Sequence, residues 1–440
     1  MTAPATSPRA PLSAPGSIWQ NGAFVRVWSA STISYFGSFI TRTALPLAAI
    51  LTLGAGPLEI SAIRSVEFVA WLLVGLVAGA WVDRLRRRPV MIGADIGRAI
   101  LLGTIPIAAI AGVLSLAQLI VVAFLAAVLT PFFNSASTAL LPTVIDRDGL
   151  VQANGALSAG NSVSEFTGFS ASGFLVQLLT APIAIGIDAL TFVVSAVLLF
   201  TIRRPEPPRP ALSEREPIVQ EIREGLGVVR RSPVLRALAL AHAANHVLWG
   251  VFSTTYILFA VQDVGLGPAA IGLISGLGGL GAFVGAAGAT RVVNRLGAGR
   301  SMILGLVGFT IGSALIPLAP SGAVLVATGM LVVQQLLGDG TGILYDIVET
   351  SLTQSLVDGR VLGRVDATVS TFTTVTALAG AILGGVLAEA FGLRATIAFG
   401  VVAGATAIVF IWFSPARLIR EAPAPLATHA PTLEEVPVTE

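Results

Sequence analysis

The sequence predicts an all-α membrane protein with twelve transmembrane helices in two pseudo-symmetric six-helix bundles, and three observations support this fold class. Of the 440 residues, 54% are hydrophobic and only 11% are charged, whereas soluble domains carry about 25% charged residues. Long apolar runs follow one another along most of the chain, and the second half repeats landmarks of the first. A chain with so few charges cannot cover a globular surface in water, so lipid is the expected solvent.

Twelve runs are long enough to cross a membrane, because a helix of about 20 apolar residues spans the hydrocarbon core. They cover 24–53, 59–82, 89–112, 115–140, 151–178, 182–202, 236–262, 268–293, 300–319, 322–349, 364–390 and 393–414. Glycine, proline or aspartate marks most connections. The expected organisation is a disordered tail (1–22), an N-terminal bundle (23–202), a linker (203–235), a C-terminal bundle (236–415) and a second disordered tail (416–440).

Arginine in alternate connections predicts the orientation. Four arginines lie within 84–88 and eight within 203–236, whereas the other set of connections has almost none besides Arg394. Arginine-rich loops stay in the cytoplasm. We therefore expect both termini in the cytoplasm and the protein in the inner (plasma) membrane of a bacterium.

The linker is expected to contain an amphipathic helix. Its first part is rich in proline, which predicts an extended chain. After it, Ile218, Ile222, Leu226 and Val229 recur at helical spacing, with charged residues on the other faces. This pattern is typical of a helix that lies along a membrane surface.

The two halves of the chain match each other at a constant offset. "GPLEISAIRS" begins at 56 and "GPAAIGLIS" at 267, while "DRL" begins at 83 and "NRL" at 294, so 267 − 56 and 294 − 83 both give 211 residues. Parallel repeats related by an axis along the membrane normal are typical of secondary transporters that handle their substrate between the repeats.

From 24 to 415, the chain resembles the major facilitator superfamily. Segments at 41–47 (TRTALPL), 134–142 (NSASTALLP) and 363–367 (GRVDA) are most similar to its efflux branch of macrolide and enterobactin exporters. The resemblance implies a carrier that works by alternating access. The fifth span reads GFSASG at 168–173, where drug–proton antiporters of the superfamily typically have Gly-Pro-x-x-Gly-Gly, and this departure weakens the case for antiport.

The loop between the second and third spans resembles the superfamily's signature motif. Its motif residues are Gly79, Asp83, Arg84, Arg87 and Arg88. The resemblance implies that the aspartate caps a helix end of the other half and that the arginines pair with acids, which latches the inner gate. Asp95 and Arg98 share one face of the third span and are expected to join this network. The alternative is that the arginines only fix the orientation of the loop.

Five acids are candidates for proton coupling: Glu67, Glu165, Asp339, Asp346 and Glu349. Four polar residues of the tenth span recur at i, i+4, i+11 and i+14, which predicts one stripe facing a central cavity: Gln335, Asp339, Asp346 and Glu349. A carboxylate there takes up a proton when desolvated and releases it when exposed. The alternatives are that Asp346 and Glu349 are ordinary gate charges, that Glu165 bridges to the other half, and that Glu67 only neutralises Arg64.

Ten polar or aromatic residues are candidates for the substrate cavity: Ser34, Ser38, Arg42, Asn134, His242, Asn245, His246, Trp249, Tyr256 and Gln335. Arg42 lies roughly 21 Å along the helix from Trp28, in the outer half of the membrane, where it faces the cavity or extends outward. His242 and His246 have the spacing of a zinc pair, but no third ligand is near them, so no metal site is predicted. Asp188 is expected to be structural.

The sequence also excludes several functions. It has no cysteine and no lysine, so disulfides, thiol catalysis and a Walker-type phosphate loop are excluded. No nucleophile or cofactor constellation is apparent, so we predict that the protein is not an enzyme and has no cofactor, and the net charge of +2 does not suggest nucleic-acid binding.

The predicted function is proton-driven efflux of an amphipathic organic compound such as an antibiotic, macrolide or siderophore. The expected partners are that small molecule, protons and the lipid bilayer, and the expected state is a monomer. The alternatives are an importer or lysolipid carrier of the same fold, or a non-transporting receptor or scaffold. Costly acids at several depths of the membrane argue against a scaffold.

Overall fold

The computed structural model describes residues 18–82, 84–202 and 218–420, without the side chains of 76–80, 147, 218–222 and 360. The first half consists of α1 (Gly22–Leu53), α2 (Pro57–Val82), α3 (Arg87–Ile110), α4 (Leu116–Val144), α5 (Leu150–Leu178) and α6 (Ala181–Phe200). The linker holds α7 (Ile218–Arg231). The second half consists of α8 (Pro233–Gln262), α9 (Pro268–Leu296), α10 (Ala298–Leu318), α11 (Val324–Gln334), α12 (Gly340–Leu356), α13 (Gly359–Phe391) and α14 (Leu393–Trp412).

The twelve-helix prediction is confirmed. A π-helical segment, Gln335–Asp339, joins α11 to α12 into one continuous helix. Counted in this way, ten helices are long and apolar enough to cross a membrane when only the described residues are considered. The other two, α2 and α5, are 26 and 29 residues long. Both lie where the two halves meet. The polar residues of α5 are therefore placed against protein rather than lipid, whereas the second half of α2 is as apolar as the other spans.

The observed helices differ most from the predicted spans at the ends of the fourth and tenth helices and at the start of the eleventh. The fourth helix continues to Val144, the tenth to Leu356, and the eleventh begins at Gly359. Hydropathy detects the segment that lies in hydrocarbon, whereas a helix continues for as long as its backbone hydrogen bonds are made. The described parts of both predicted tails are also ordered: Ile18 is buried, and the backbone N–H groups of Ala298 and Gly299 bond to the carbonyls of Arg420 and Ile419.

Helix packing repeats between the halves, as the sequence repeat predicts. In the first half α1 packs on α5 and α6, α3 packs on α4 and α6, and α2 packs on α4. The corresponding pairs of the second half are α8 with α13 and α14, α10 with α12 and α14, and α9 with α12. Each half is therefore the same six-helix arrangement.

The linker helix α7 packs against α13 and α8. Glu224 forms an ion pair with Arg364 at the start of α13. A Cβ at Gly225 would lie 2.3 Å from the Arg364 carbonyl oxygen, so only glycine allows this approach. The amphipathic helix predicted for the membrane surface is thus attached to the second half.

The two halves share one core at one end of the molecule and have separate cores at the other. We call the end that carries α7 and the described chain ends the linker end, and the opposite end the far end. At the far end a single cluster includes Ile40 and Ile185 of the first half with Phe259 and Ile397 of the second. At the linker end each half has its own cluster. The halves are therefore closed together at the far end and parted at the linker end.

Small residues make the far-end closure possible. A Cβ at Gly173 of α5 would lie 2.3 Å from the Pro268 carbonyl oxygen and 2.9 Å from the Gly272 Cα of α9. Between α2 and α13, the Ser61 hydroxyl donates to the Ala381 carbonyl at 2.8 Å. Lipid offers no hydrophobic drive for helix association, so close van der Waals contact of this kind is what holds such an interface.

Gly173→Ala is expected to separate α5 from α9 and shift the protein toward a state open at the far end. The chain contains no cysteine, so Ser61→Cys provides a single thiol buried in this closure. Labelling of that thiol by a membrane-impermeant reagent should rise in the Gly173→Ala background. Gly155→Ala on the same helix is the matched control, because nothing lies within 4 Å of its Cβ. Equal labelling in the two backgrounds would contradict the prediction.

Candidate functional site

Two arginines connect the halves near the middle of the bundle. The Arg42 guanidinium of α1 lies 5.4 Å from the ring centroid of Trp249 on α8. Arg64 of α2 donates from Nε to the Ser253 carbonyl of α8 at 3.1 Å and from Nη2 to the Arg42 carbonyl at 3.0 Å. Its Nη1 pairs with Glu67 Oε2 at 2.9 Å. The predicted Arg64–Glu67 pair is therefore present, and Arg64 also binds the other half.

Two acids from opposite halves lie in the same region. Glu165 of α5 is within electrostatic range of both Arg42 and Asp339. Asp339, at the end of the π-helical segment, is also within range of Tyr256 on α8. A Cβ at Gly278 of α9 would lie 2.1 Å from Asp339 Oδ2, so the carboxylate occupies space that the glycine leaves free.

The residues Arg42, Arg64, Glu67, Glu165 and Asp339 form what we call the central charge group. With every member ionised, two positive and three negative charges give +2 − 3 = −1. Arg42 is exposed, whereas Glu67, Glu165 and Asp339 are half-buried, so the group is accessible from the space between the halves. Trp249, 46% exposed, provides an aromatic surface beside these charges.

The π-helical segment explains how the tenth helix places polar groups against α9. A π turn contains one more residue than an α turn and is often found at functional sites. Within it, Gln335 Nε2 donates to the Ser275 carbonyl at 3.4 Å, and Asp339 lies against Gly278. Gly281 lets α9 approach closely, since its Cβ would lie 2.7 Å from the Leu336 carbonyl oxygen.

The predicted stripe of the tenth helix divides below the π-helical segment. Asp346 is exposed, whereas Glu349 is only 9% exposed and accepts a hydrogen bond from Thr353 Oγ1 at 3.1 Å. Glu349 therefore departs from the predicted cavity-facing stripe and belongs to the interior of the second half. Asp346 remains on the accessible face, toward the linker end.

Two histidines and a tyrosine pack together inside the second half, near Glu349. The rings of His242 and His246 stack with centroids 4.6 Å apart, and His242 lies 6.5 Å from the Tyr345 ring. His246 Nδ1 lies 2.9 Å from the His242 carbonyl oxygen. Asn245 is half-buried beside them. No group of three metal-ligating side chains occurs among the residues described.

The polar stripe of α1 divides between two environments. Ser34 lies within 3.4 Å of Asp95 Oδ1 and 3.3 Å of Arg98 Nη2, inside the first half and away from the space between the halves. Ser38 donates to the Ser34 carbonyl at 2.8 Å and is half-buried. Of the predicted α1 residues, Arg42 is the one that contacts the second half. On α4, the predicted cavity residue Asn134 is half-buried.

The structure places Asp95 and Arg98 away from the predicted gate network. Both are buried in the first half, where Arg98 Nη2 pairs with Asp95 Oδ1 at 2.6 Å. Asp188, predicted to be structural, lies in the same cluster, together with Thr41, which the sequence analysis did not single out. The spacing of polar residues along each helix did not predict that Asp95 and Arg98 of α3 would lie close to Asp188 of α6.

The gate motif itself is only partly described. Asp83 and the surroundings of Gly79 lie outside the described residues. Arg84 is exposed and Arg87 is half-buried. Arg88 Nη2 donates to the Phe200 carbonyl at 2.6 Å, which ties the loop to the end of α6 within the first half. The latch therefore stays a prediction.

Comparison with known proteins identifies the family. The model of the Major Facilitator Superfamily matches residues 27–361 and 238–438. An uncharacterized MFS-type transporter, YfiS of Bacillus subtilis, is 27% identical over 385 residues, 83% of this chain and 86% of that protein. The multidrug efflux pump Tap of Mycolicibacterium fortuitum is 28% identical over 393 residues, 86% and 92% of the two chains.

Macrolide efflux protein A of Streptococcus pyogenes is 25% identical over 218 residues, which is 49% of this chain and about half (53%) of that protein. Among solved structures, the nucleoside transporter NupG (D323A mutant) aligns with a TM-score of 0.72 at 12% identity, covering 89% of this chain and 99% of NupG. A bacterial homologue of the iron transporter ferroportin, in an inward-facing state, aligns at 0.68 with 19% identity over 90% and 99%. At such low identity these structures show the fold alone.

Arg64→Met is expected to lower the thermal unfolding midpoint clearly, because it leaves Glu67 without its partner and two carbonyls without a donor. Removing both charges in Arg64→Met/Glu67→Met should recover part of that loss, with a coupling of about 0.5–3 kcal/mol. Thermal unfolding of the purified protein in detergent measures both. Arg26→Met, at an exposed α1 position, is the control and should change little. Strictly additive losses in the double variant would show that the two side chains do not stabilise each other.

Proposed function

The chain belongs to the major facilitator superfamily, and on that premise we propose that it exports an amphipathic organic compound in exchange for protons. Members of this family are multi-pass membrane transporters of small molecules rather than enzymes. The finer points of the proposal are the direction, the coupling ion and the class of compound.

The observation that carries the proposal is the central charge group with its excess negative charge. Glu165 and Asp339 approach each other from opposite halves, and burying two like charges together is unfavourable. A proton or a cationic group of the substrate would neutralise the excess. If both bind to the same acids, they compete, and competition between a proton and a substrate for one site produces exchange of one for the other.

The proposed direction is supported by the names of relatives and is compatible with the conformation and the arginine distribution. With the arginine-rich connections in the cytoplasm, the halves part toward the cytoplasm and close toward the outside. An exporter loads its substrate in this state. The efflux names of Tap and of macrolide efflux protein A agree with this direction. We place the protein in the bacterial inner membrane as a monomer with both termini in the cytoplasm.

The surroundings of the central charge group favour an amphipathic compound. Trp249, Tyr256 and Phe166 offer aromatic faces, and Phe166 is 39% exposed. Gln335 and Arg42 provide hydrogen-bond donors close by. Pockets of this kind hold organic ligands by apolar contact and fix their orientation with a few polar groups. Antibiotics, macrolides and siderophores are the candidate substrates.

The proposal is tested by accumulation of a panel of these compounds in cells that express the protein and in cells that lack it. Export predicts lower accumulation of at least one compound, and loss of that effect when the proton gradient is dissipated. In vesicles with a preset pH gradient, adding the exported compound should collapse the gradient. Raised accumulation would indicate an importer, and the absence of any effect across the panel would contradict transport of these compounds.

Asp339→Asn is expected to abolish transport driven by a pH gradient while substrate counterflow survives. Asparagine has nearly the same size as aspartate and still forms hydrogen bonds, but its side chain cannot bind and release a proton. Proteoliposomes allow both measurements on one preparation. Glu389→Gln, at an exposed position of α13, is the control and should retain both activities. Loss of both modes, or of neither, would contradict a proton-carrying role for Asp339.

If Asp83 latches the linker end shut in the state open at the far end, Asp83→Asn should depopulate that state. Labelling of the Ser61→Cys thiol from outside should then fall, with substrate preference unchanged. A carboxylate that caps a helix N-terminus contributes about 0.3–2 kcal/mol, which is enough to shift the labelling rate severalfold. A change in substrate preference would place Asp83 in the binding site instead.

A further inference from the structure

A second group of charges lies inside the first half, away from the space between the halves. Asp95 and Arg98 of α3 and Asp188 of α6 are 0%, 3% and 0% exposed. We call these three residues the buried triad. Arg98 Nη2 bonds to Asp95 Oδ1 at 2.6 Å and lies within electrostatic range of Asp188.

Hydroxyl groups from two helices hold Asp188. Thr41 Oγ1 of α1 donates to Asp188 Oδ2, and Thr191 Oγ1 donates to Asp188 Oδ1 at 3.1 Å. A Cβ at Gly37 of α1 would lie 2.0 Å from Asp188 Oδ1. The α1 backbone therefore leaves a gap that this carboxyl group fills.

Aromatic rings enclose the single positive charge. The Arg98 guanidinium lies 4.8 Å from the Phe133 ring of α4 and 4.1 Å from the Phe192 ring of α6. These rings shield it from water and leave it two carboxyl groups as ionic partners. Besides the triad, half-buried Tyr35 of α1 is the titratable group that interacts electrostatically with Arg98.

The charges of the buried triad do not balance. Two carboxylates and one guanidinium give −2 + 1 = −1. An uncompensated charge buried in protein within a bilayer is strongly unfavourable. A proton on one of the two carboxyl groups would remove this excess without requiring a cavity.

A serine hydroxyl beside Asp95 offers an acceptor for such a proton. Asp95 Oδ2 and Ser195 Oγ are both buried without a hydrogen-bond partner among the described residues, and Ser195 lies beside Asp95. A proton on Asp95 Oδ2 would donate to Ser195 Oγ. This one proton satisfies both atoms and removes the excess charge, while Asp188 keeps its two hydroxyl donors and its attraction to Arg98.

We infer that the buried triad is a proton-binding site, which holds one proton, on Asp95, in this conformation. It is separate from the central charge group and depends on neither the direction of transport nor the identity of the substrate. Because the carboxyl groups share one guanidinium, removing either acid also removes the need for the proton.

Infrared difference spectroscopy of the purified protein tests the inference through the carbonyl stretch of protonated carboxylic acids. The wild-type band should diminish reversibly as the pH is raised. Asp95→Asn and Asp188→Asn should each lose the same component, since either leaves one acid paired with Arg98. Arg98→Gln, which leaves two acids and no base, should increase the band. Asp263→Asn, outside both charge groups, is the control and should leave it unchanged.

Survival of the component in both single asparagine variants, or a component that does not respond to pH, would overturn the inference. Thermal unfolding provides a second measurement if one variant folds poorly. Each single variant should unfold near the wild-type midpoint, and Asp95→Asn/Asp188→Asn should unfold well below it because Arg98 is left buried and unpaired. Singles that are as unstable as the double variant would also overturn it. Export by the wild type is measured separately, so failure here leaves the proposed function untouched.

Discussion

The cost of placing charge in a bilayer is the constraint on which the rest of the structure depends. Several charged groups within the described membrane helices find partners in protein rather than lipid. Arg64 and Arg98 bind acids and aromatic or backbone groups. Arg394, the exception to the arginine distribution, donates to the Pro317 and Ala319 carbonyls at 2.7 Å each. It therefore closes a turn at the far end and carries no information about orientation.

A second constraint is that helices in lipid associate through close contact rather than through exclusion of water. At the far end, Gly173 and Gly272 bring two backbones together, and the two halves share one core. At the linker end the buried apolar residues of each half form a separate cluster. Two halves that share a core at one end are suited to rocking, because opening that end leaves the separate clusters at the linker end intact.

The sequence predicted the helices and their repeat well because hydropathy and length decide which segments enter lipid. The sequence did not predict which residues surround each polar side chain. On α1, Ser34 faces Asp95 whereas Arg42 faces Trp249 of the other half, so one apparent stripe serves two environments. Periodicity identifies the face of a helix but not what packs against it.

The tenth helix shows a second limit of periodicity. Counting residues at α-helical spacing placed Gln335 and Glu349 on one stripe, but the π-helical segment Gln335–Asp339 lies between them, and its wider turn changes the phase of the later residues relative to the earlier ones. Asp339 and Glu349 are joined by ordinary α-helix, and their separation along it turns Glu349 about 80° around the helix axis from Asp339. No short motif in the sequence marks such a turn, although a glycine on each side of Asp339 allows the close packing that accompanies it.

The two charge groups share a property that separates a carrier from a scaffold. The central charge group sums to −1 through two bases and three acids, and the buried triad sums to −1 through one base and two acids. A network that only holds helices together is most stable when its charges cancel, since any excess must be desolvated without compensation. Under the proposed mechanism, the positive partner of each group is a proton or a cationic substrate that the chain does not supply. A partner that is not part of the chain can leave and return, which a transport cycle needs and a scaffold does not.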